Sequence, residues 1–209
     1  MTTQHHDDLP GGPVSARPLH FFFIADCSGS MAGEKINTLN EAIRDAVPAM
    51  RKVAEGNPNA RIEVQAIRFS QGAQWHTPRA EPVETFEWKP LSAADQTDMG
   101  AALSLCAEAL KTPPMPQRAL PPVLVLISDG QPTDDFNDGL RRLLAEPWGK
   151  KAVRIAIAIG EDCDLEVLRR FINNPELQPL VARDAASLVR FIRWASTAVL
   201  KAASAPASQ

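Results

Sequence analysis

The chain has 209 residues, of which 44% are hydrophobic and 22% charged, values typical of one globular domain with enough length to bury a core. Its net charge of −3 argues against the basic surface of a nucleic-acid-binding protein. The three cysteines form no C-x-x-C pair, which weakens zinc and thioredoxin-type interpretations, and no apolar run approaches the roughly 18 residues of a membrane span.

The cysteine content and the N-terminus together predict a location. A sparse, odd number of cysteines is typical of a reducing compartment. The N-terminal residues have no basic region followed by an apolar stretch, as a secretory signal would. We therefore expect a cytoplasmic protein.

Apolar runs and helical spacing alternate between two polar tails. Residues 1–17 are predicted to be a disordered arm, residues 18–203 a single domain and residues 204–209 a disordered tail. In chain order the predicted elements are a strand at Leu19–Ala25, a helix over 36–54, a strand at Arg61–Phe69, an edge strand and loop within 74–88, a helix over 98–111, a strand over 122–128, a helix over 139–144, a strand over 153–160, a helix at Leu165–Ile172, a weak strand over 177–182 and a helix over 185–203. Pro48 is predicted to kink or break the first helix.

This alternation predicts an α/β fold with a doubly wound, mostly parallel sheet and helices on both faces. In such folds ligands bind at the carboxyl ends of the strands. Asp26 and Asp129 each follow a fully apolar strand. If the two strands are parallel, both carboxylates lie on the same rim of the sheet.

Oxygen donors gather at the predicted strand ends. FFFIADCSGSM places Asp26, Ser28 and Ser30 after the first strand, ADQTDMGAAL contributes Thr97, and VLVLISDGQPTD contributes Asp129. Carboxylate, hydroxyl and water oxygens are the ligands that Mg²⁺ prefers. Taken singly, each residue has another explanation, since the serines and Thr97 could cap helices and Asp129-Gly130 is a common turn. Their joint occurrence favours a metal site.

The three motifs, DCSGS, the Thr97 loop and SDGQPTD, resemble the metal-ion-dependent adhesion site (MIDAS) of von Willebrand factor type A (VWA) domains, over about residues 20–200. The resemblance implies a sheet of five parallel strands and one antiparallel edge strand. It also implies that Asp26, Ser28, Ser30, Thr97 and Asp129 hold a divalent cation. Mg²⁺ is the expected ion, with Mn²⁺ and Ca²⁺ as alternatives. Asp95 and Gln96 stand where the family commonly has Gly-Gly, which places Asp95 and Asp98 near the ion.

More narrowly, the SDGxPTD form resembles the TerY-type proteins of bacterial tellurite-resistance and stress-response systems. This narrower resemblance implies a link with a kinase or phosphatase of the same system. The leading interpretation is a non-enzymatic binding module, in which the ion accepts an Asp or Glu carboxylate of a protein partner as its sixth ligand. Residues predicted to contact the partner are Asp98, Asp134, Asp135 and Trp75. For Asp134 and Asp135 the alternative is a solvated helix start.

Two other functions are open to the sequence. The first is an Mg²⁺-dependent phosphotransferase or hydrolase, since a strand that ends in Asp also occurs in aspartyl-phosphate enzymes. Those enzymes typically need a second acid two residues later, where this chain has Ser28, and the phosphate-binding G-x-x-x-x-G-K loop is missing. The second is a scaffold whose metal site stays unoccupied, in which case metal would not change the melting temperature.

Overall fold

The first apolar run forms the middle of a mixed sheet. In this computed structural model, which describes residues 16–94, 96–160 and 163–204, β1 (Arg17–Asp26) is flanked by β2 (Ala60–Ser70) and β5 (Val123–Ser128), both parallel to it. The other strands are β3 (Gly72–Trp75), β4 (Glu81–Pro82), β6 (Val153–Ile159) and β7 (Leu180–Ala182).

The sheet has the order β3-β2-β1-β5-β6-β7. Five neighbouring strands, β2, β1, β5, β6 and β7, run parallel, while β3 and β4 both pair antiparallel with β2. This confirms the predicted mostly parallel sheet with an antiparallel edge. The chain builds outward from β1 in one direction and then, from β5, in the other, so the order reverses between β1 and β5. That gap is the place where ligands bind in doubly wound sheets.

Helices cover both faces of the sheet because alternate residues of β1 point to opposite sides. Phe21 and Phe23 belong to a buried cluster with the helices over 34–55 and 185–194. Phe22 and Ile24 belong to a second cluster with the helices over 99–109, 136–145 and 165–172. The helices are α1 (Glu34–Glu55), α2 (Met99–Ala109), α3 (Phe136–Ala145), α4 (Pro147–Lys151), α5 (Leu165–Ile172), α6 (Ala185–Trp194) and α7 (Leu200–Ser204). Within the described part of the chain, no helix is long and apolar enough to cross a membrane.

Pro48 does not break α1, contrary to one of the two predicted outcomes. The helix continues for 22 residues through it. Pro48 is exposed, and so is Arg44, whose carbonyl loses its helical partner to the proline ring. Water can bond that carbonyl, so the lost hydrogen bond costs little. On the opposite face the buried residues Val47 and Met50 hold the helix against the sheet.

Other boundaries differ from the prediction in ways that local contacts explain. β1 begins at Arg17, within the predicted arm, because its backbone pairs with Ala60 of β2. The last predicted helix is interrupted by a π-helical turn at Ala195–Val199 between α6 and α7. The rest of the predicted arm, residues 1–15, and the tail from residue 205 lie outside the described residues.

Candidate metal centre

Asp26 is fixed in place at the end of β1. Parallel pairing of Ala25 with Ile127 sets the next residues of the two strands, Asp26 and Ser128, side by side. The Ser128 hydroxyl donates to Oδ2 of Asp26, and the backbone N–H of Ser28 donates to Oδ1 at 2.8 Å. Each carboxylate oxygen accepts two hydrogen bonds readily, so both keep capacity for a water or an ion.

The buried position of Asp26 has an electrostatic cost. Desolvation raises the pKa of its carboxyl, and the negative charge of Asp129 acts in the same direction, while the hydrogen bonds from Ser128 and Ser28 oppose it. The centre therefore holds more negative charge than its surroundings favour. A bound cation would relieve this imbalance.

The two serines of the first motif lie together after β1. Residues Gly29–Met31 form one turn of 3₁₀-helix, and the hydroxyl oxygens of Ser28 and Ser30 are 3.0 Å apart. Neither side chain caps α1, whose N-cap residue is Gly33. The capping explanation for Ser28 and Ser30 is thus wrong, and both hydroxyls face each other at the rim.

Thr97 reaches the same rim from the loop before α2. Its N–H donates to the hydroxyl of Thr133 at 3.1 Å, and its carbonyl accepts from the N–H of Thr133 at 3.0 Å. These two bonds tie the Thr97 loop to the loop that follows Asp129. Thr97 does not cap α2 either, because the N-cap position belongs to Asp98.

Close backbone packing between α2 and α3 keeps those two loops together. A Cβ atom added to Gly100 would collide with the carbonyl of Asp135, and one added to Gly139 would collide with the carbonyl of Gly100. After Asp129 the chain turns through Gly130, whose φ of +88° suits glycine. The Asp129-Gly130 turn exists as expected, but it coexists with the position of Asp129 at the rim.

A cleft of about 370 Å³ opens over this rim. Its lining includes Ser30, Thr97 and Asp129, with Ser28 and Asp26 directly below through the contacts described above. The five predicted ligand residues are therefore brought together. Their donors are two carboxylates and three hydroxyls, which suit a small, hard cation such as Mg²⁺. Across residues 16–94, 96–160 and 163–204 there is no cluster of three or more His, Cys, Asp or Glu side chains that would hold a metal instead.

Lys35 was not foreseen as part of this centre. It lies in the first turn of α1 and lines the cleft, and its Nζ is 3.0 Å from Oδ2 of Asp129. The two residues are 94 positions apart, so only the strand order brings them together. The roles of Ser128 and Thr133 were missed for the same reason.

Asp134 and Asp135, predicted to contact a partner, both have hydrogen-bond partners inside the fold. The carboxylate of Asp134 accepts from the N–H groups of Gly100 at 2.8 Å and Ala101 at 2.7 Å, the first turn of α2. Asp135 is the N-cap of α3 and accepts from the N–H of Asp138 at 2.9 Å. Asp135 is therefore an exposed helix start, as the alternative explanation held. Asp134 is half-buried and bonds the start of a different helix, α2, which that explanation did not include. Their contact with a partner stays a prediction.

Asp98 and Trp75, also predicted to contact a partner, have contacts inside the fold. Asp98 accepts from the N–H of Gly72 at 2.7 Å and from the hydroxyl of Thr133 at 3.0 Å. Trp75, on β3, is half-buried and its ring centroid is 6.3 Å from that of Phe22. It does not line the cleft that contains Thr97. Asp95, expected near the ion, lies outside the described residues.

Cys27 lies between two predicted ligand residues and is buried. Its thiol contacts the carbonyl of Ala25, and desolvation together with the charge of Asp26 raises its pKa to about 12. The side chain is therefore a neutral thiol that packs in the core of the loop.

Comparison with known proteins adds a family model and several solved structures. The model described as von Willebrand factor type A domain matches residues 21–131, more than half of the chain. A search of curated proteins finds no match.

Among solved structures, a von Willebrand factor type A protein from Catenulispora acidiphila is 16% identical with a TM-score of 0.65, covering 87% of this chain and 42% of that one. The ArnB paralog VWA2 from Sulfolobus acidocaldarius is 20% identical with a TM-score of 0.63, covering 86% and 45%. Proximal thread matrix protein 1 from the mussel byssus, described with a zinc-occupied MIDAS motif, is 15% identical with a TM-score of 0.65, covering 87% and 48%. The chain spans less than half the length of each of these proteins. At such identities the similarity shows the fold.

Proposed function

Because this chain belongs to the von Willebrand factor type A domain family, we propose that it is a protein-binding module whose activity depends on a divalent cation. The observation that carries the proposal is the meeting of three hydroxyls and two carboxylates beneath one open cleft. The mussel protein with a zinc-occupied MIDAS motif supports a divalent ion at a site of this type, and the oxygen-only donor set of this chain favours Mg²⁺, with Mn²⁺ and Ca²⁺ as alternatives.

The five residues would contribute two kinds of oxygen ligand to the ion. Ser28, Ser30 and Thr97 would supply neutral hydroxyl oxygens, and Asp26 and Asp129 would supply the compensating charge. A bound ion would supply a positive centre that attracts an acidic group. Because few charged groups surround it, an Asp or Glu carboxylate from a partner would be its natural sixth ligand. The cleft is open to such a group.

The first experiment measures metal binding by thermal unfolding. A cation that binds only the native state at 100 times its Kd adds about 2.7 kcal/mol, a rise of roughly 5–10 °C for a chain of this length. We expect that rise with Mg²⁺ or Mn²⁺ and its loss in Thr97→Val or Ser30→Ala. Thr85→Val, at an exposed threonine bonded to Pro82, is the matched control and should keep the full shift. Melting temperatures that ignore metal would support the unoccupied scaffold and contradict the proposal.

The second experiment addresses the partner. Protein captured from an extract in Mg²⁺ and released by a chelator should fail to bind the Asp26→Asn variant. Substitution of one Asp or Glu in the captured partner should abolish binding. Partner affinity that survives both Asp26→Asn and chelation would refute metal-dependent recognition.

The finer assignment to a tellurite-resistance or stress-response system, with a kinase or phosphatase as partner, rests on the SDGQPTD motif. The proposed module is not an enzyme. Asp26 has Ser28 rather than an acid two residues later, and Ser28 already bonds Ser30. Phosphatase turnover by the purified protein in Mg²⁺, abolished by Asp26→Asn, would overturn this part of the proposal.

A further inference from the structure

A lysine already neutralises one carboxylate of the candidate metal centre. The ammonium group of Lys35 forms an ion pair with Asp129 at 3.0 Å, and the two side chains are 39% and 12% exposed, respectively. Lys35 projects from the first turn of α1, where the helix dipole disfavours a cation. Its position is therefore stabilised by the acidic rim rather than by its own helix.

A divalent cation and this ammonium group compete for the same charge. Asp26 ends β1 and Asp129 follows the neighbouring parallel strand β5, and two ionised carboxylates at the same rim repel each other. Lys35 offsets part of that repulsion. A metal ion would offset it more strongly, and it would also repel the ammonium group, because like charges at short range are unfavourable even at the effective dielectric of a protein surface.

Lys35 has space to withdraw. It forms part of the boundary between the metal cleft and a second cleft of about 190 Å³ between α1 and α6. Glu34 and Asp184 line that second cleft. Arg183 lines it as well, so the second cleft carries two acids and one cation besides Lys35 itself. The lysine stem is flexible and its charge is compact, which gives the ammonium group room to leave Asp129 towards these acids.

We propose that the ammonium group of Lys35 occupies Asp129 as long as no metal is bound, and that it thereby lowers the affinity of the metal centre for divalent cations. The centre then loads only when metal is abundant enough to displace the lysine. This inference rests on the proposed metal-dependent function, and it adds a residue that sets the metal concentration at which the site fills.

The test compares Mn²⁺ affinity, measured by electron paramagnetic resonance or titration calorimetry on the full chain at low ionic strength. Lys35→Met removes the charge and keeps the aliphatic stem. Lys52→Met removes the same charge from an exposed position in the last turn of the same helix and is the matched control. We expect Lys35→Met to bind Mn²⁺ roughly three- to tenfold more tightly, the size of a partly exposed charge interaction. Lys52→Met should stay within about twofold of the native protein, and Lys35→Arg should remain weak because it keeps the charge.

A second readout needs no bound metal. In chelator, Lys35→Met leaves Asp129 without its ion pair and should melt below Lys35→Arg, which keeps the charge at the same place in the helix, whereas saturating Mn²⁺ should remove that difference. Equal or weaker Mn²⁺ binding by both Lys35→Met and Lys35→Gln, in a protein whose native form binds Mn²⁺, would overturn the role of Lys35 alone. Absence of Mn²⁺ binding in the native protein and in both Lys35 variants would instead overturn the metal-dependent function itself, and this inference with it.

Discussion

Replacement of Asp134 by alanine removes the carboxylate that joins the start of α2 to the loop after β5. Two backbone N–H groups, of Gly100 and Ala101, lose an ionised acceptor at 2.8 and 2.7 Å. Although Asp98 holds the N-cap position, Asp134 bonds the first N–H groups of α2 as an N-cap side chain does, and loss of such bonds costs about 0.5–2 kcal/mol. Loss of a negative charge at a helix N-terminus adds about 0.3–1 kcal/mol. We therefore expect Asp134→Ala to lower the free energy of unfolding by about 2 kcal/mol.

The assay is urea unfolding in chelator, with the slope of the transition checked to be unchanged. The melting temperature should fall by roughly 4–8 °C. Mn²⁺ affinity should fall as well, because Asp134 helps to hold the Thr97 loop beside Asp129.

Asp135→Ala is the matched control. Asp135 caps α3 through a single N–H, that of Asp138, and does not join the two loops. Its loss should cost about 1 kcal/mol and leave Mn²⁺ affinity unchanged. A cost below about 0.5 kcal/mol for Asp134→Ala, or one no larger than that of Asp135→Ala, would refute the bridging role of the carboxylate.

Three further changes have defined outcomes. Asn40→Ala should cost about 3 kcal/mol in urea unfolding, because the buried amide bonds both the N–H and the carbonyl of Leu91 and the indole N–H of Trp88; a cost under 1 kcal/mol would contradict that count. Gly139→Ala should destabilise by about 1–3 kcal/mol and weaken Mn²⁺ binding, since the new methyl group meets the Gly100 carbonyl; unchanged binding would show that this contact does not position the site. Burial lowers the pKa of His20 below 6.5, so the unfolded state takes up the proton first and the free energy of unfolding falls as the pH drops through 6.5 towards the lowered value. The melting temperature of His20→Phe should therefore fall less between pH 7.5 and 5.5 than that of the native protein. Equal falls would show that His20 does not cause the loss of stability.

Local pattern was sufficient to predict the parallel core. The runs that became β1, β5 and β6 are apolar except for His20, Arg154 and residues at the strand ends, and a strand buried on both faces leaves that signature in its own residues. The residue that follows such a strand lies at the carboxyl edge of the sheet. The same-rim position of Asp26 and Asp129 therefore followed from two short stretches of sequence and the assumption of parallel pairing.

Contacts between distant segments could not be predicted in this way. The ion pair of Lys35 with Asp129 and the hydrogen bonds from the first turn of α2 to Asp134 depend on which strands are neighbours. No periodicity in the sequence encodes that order. Short helices were also missed. The five residues of α4 are too few to show a 3.6-residue pattern. The predicted helix over 139–144 begins later than α3, because the signal for the true start is the cap at Asp135 rather than the apolar spacing.

The buried thiol of Cys27 can report how often the DCSGS loop opens. An alkylating reagent needs the thiolate, and a pKa of about 12 together with burial keeps that form out of reach while the DCSGS loop is closed. Alkylation of Cys27 therefore requires the loop to open, and the alkylation rate measures how frequently that opening occurs. Peptide mapping separates it from Cys163, which is only partly buried, and the slowing of the rate by metal would measure how firmly an ion locks the loop shut.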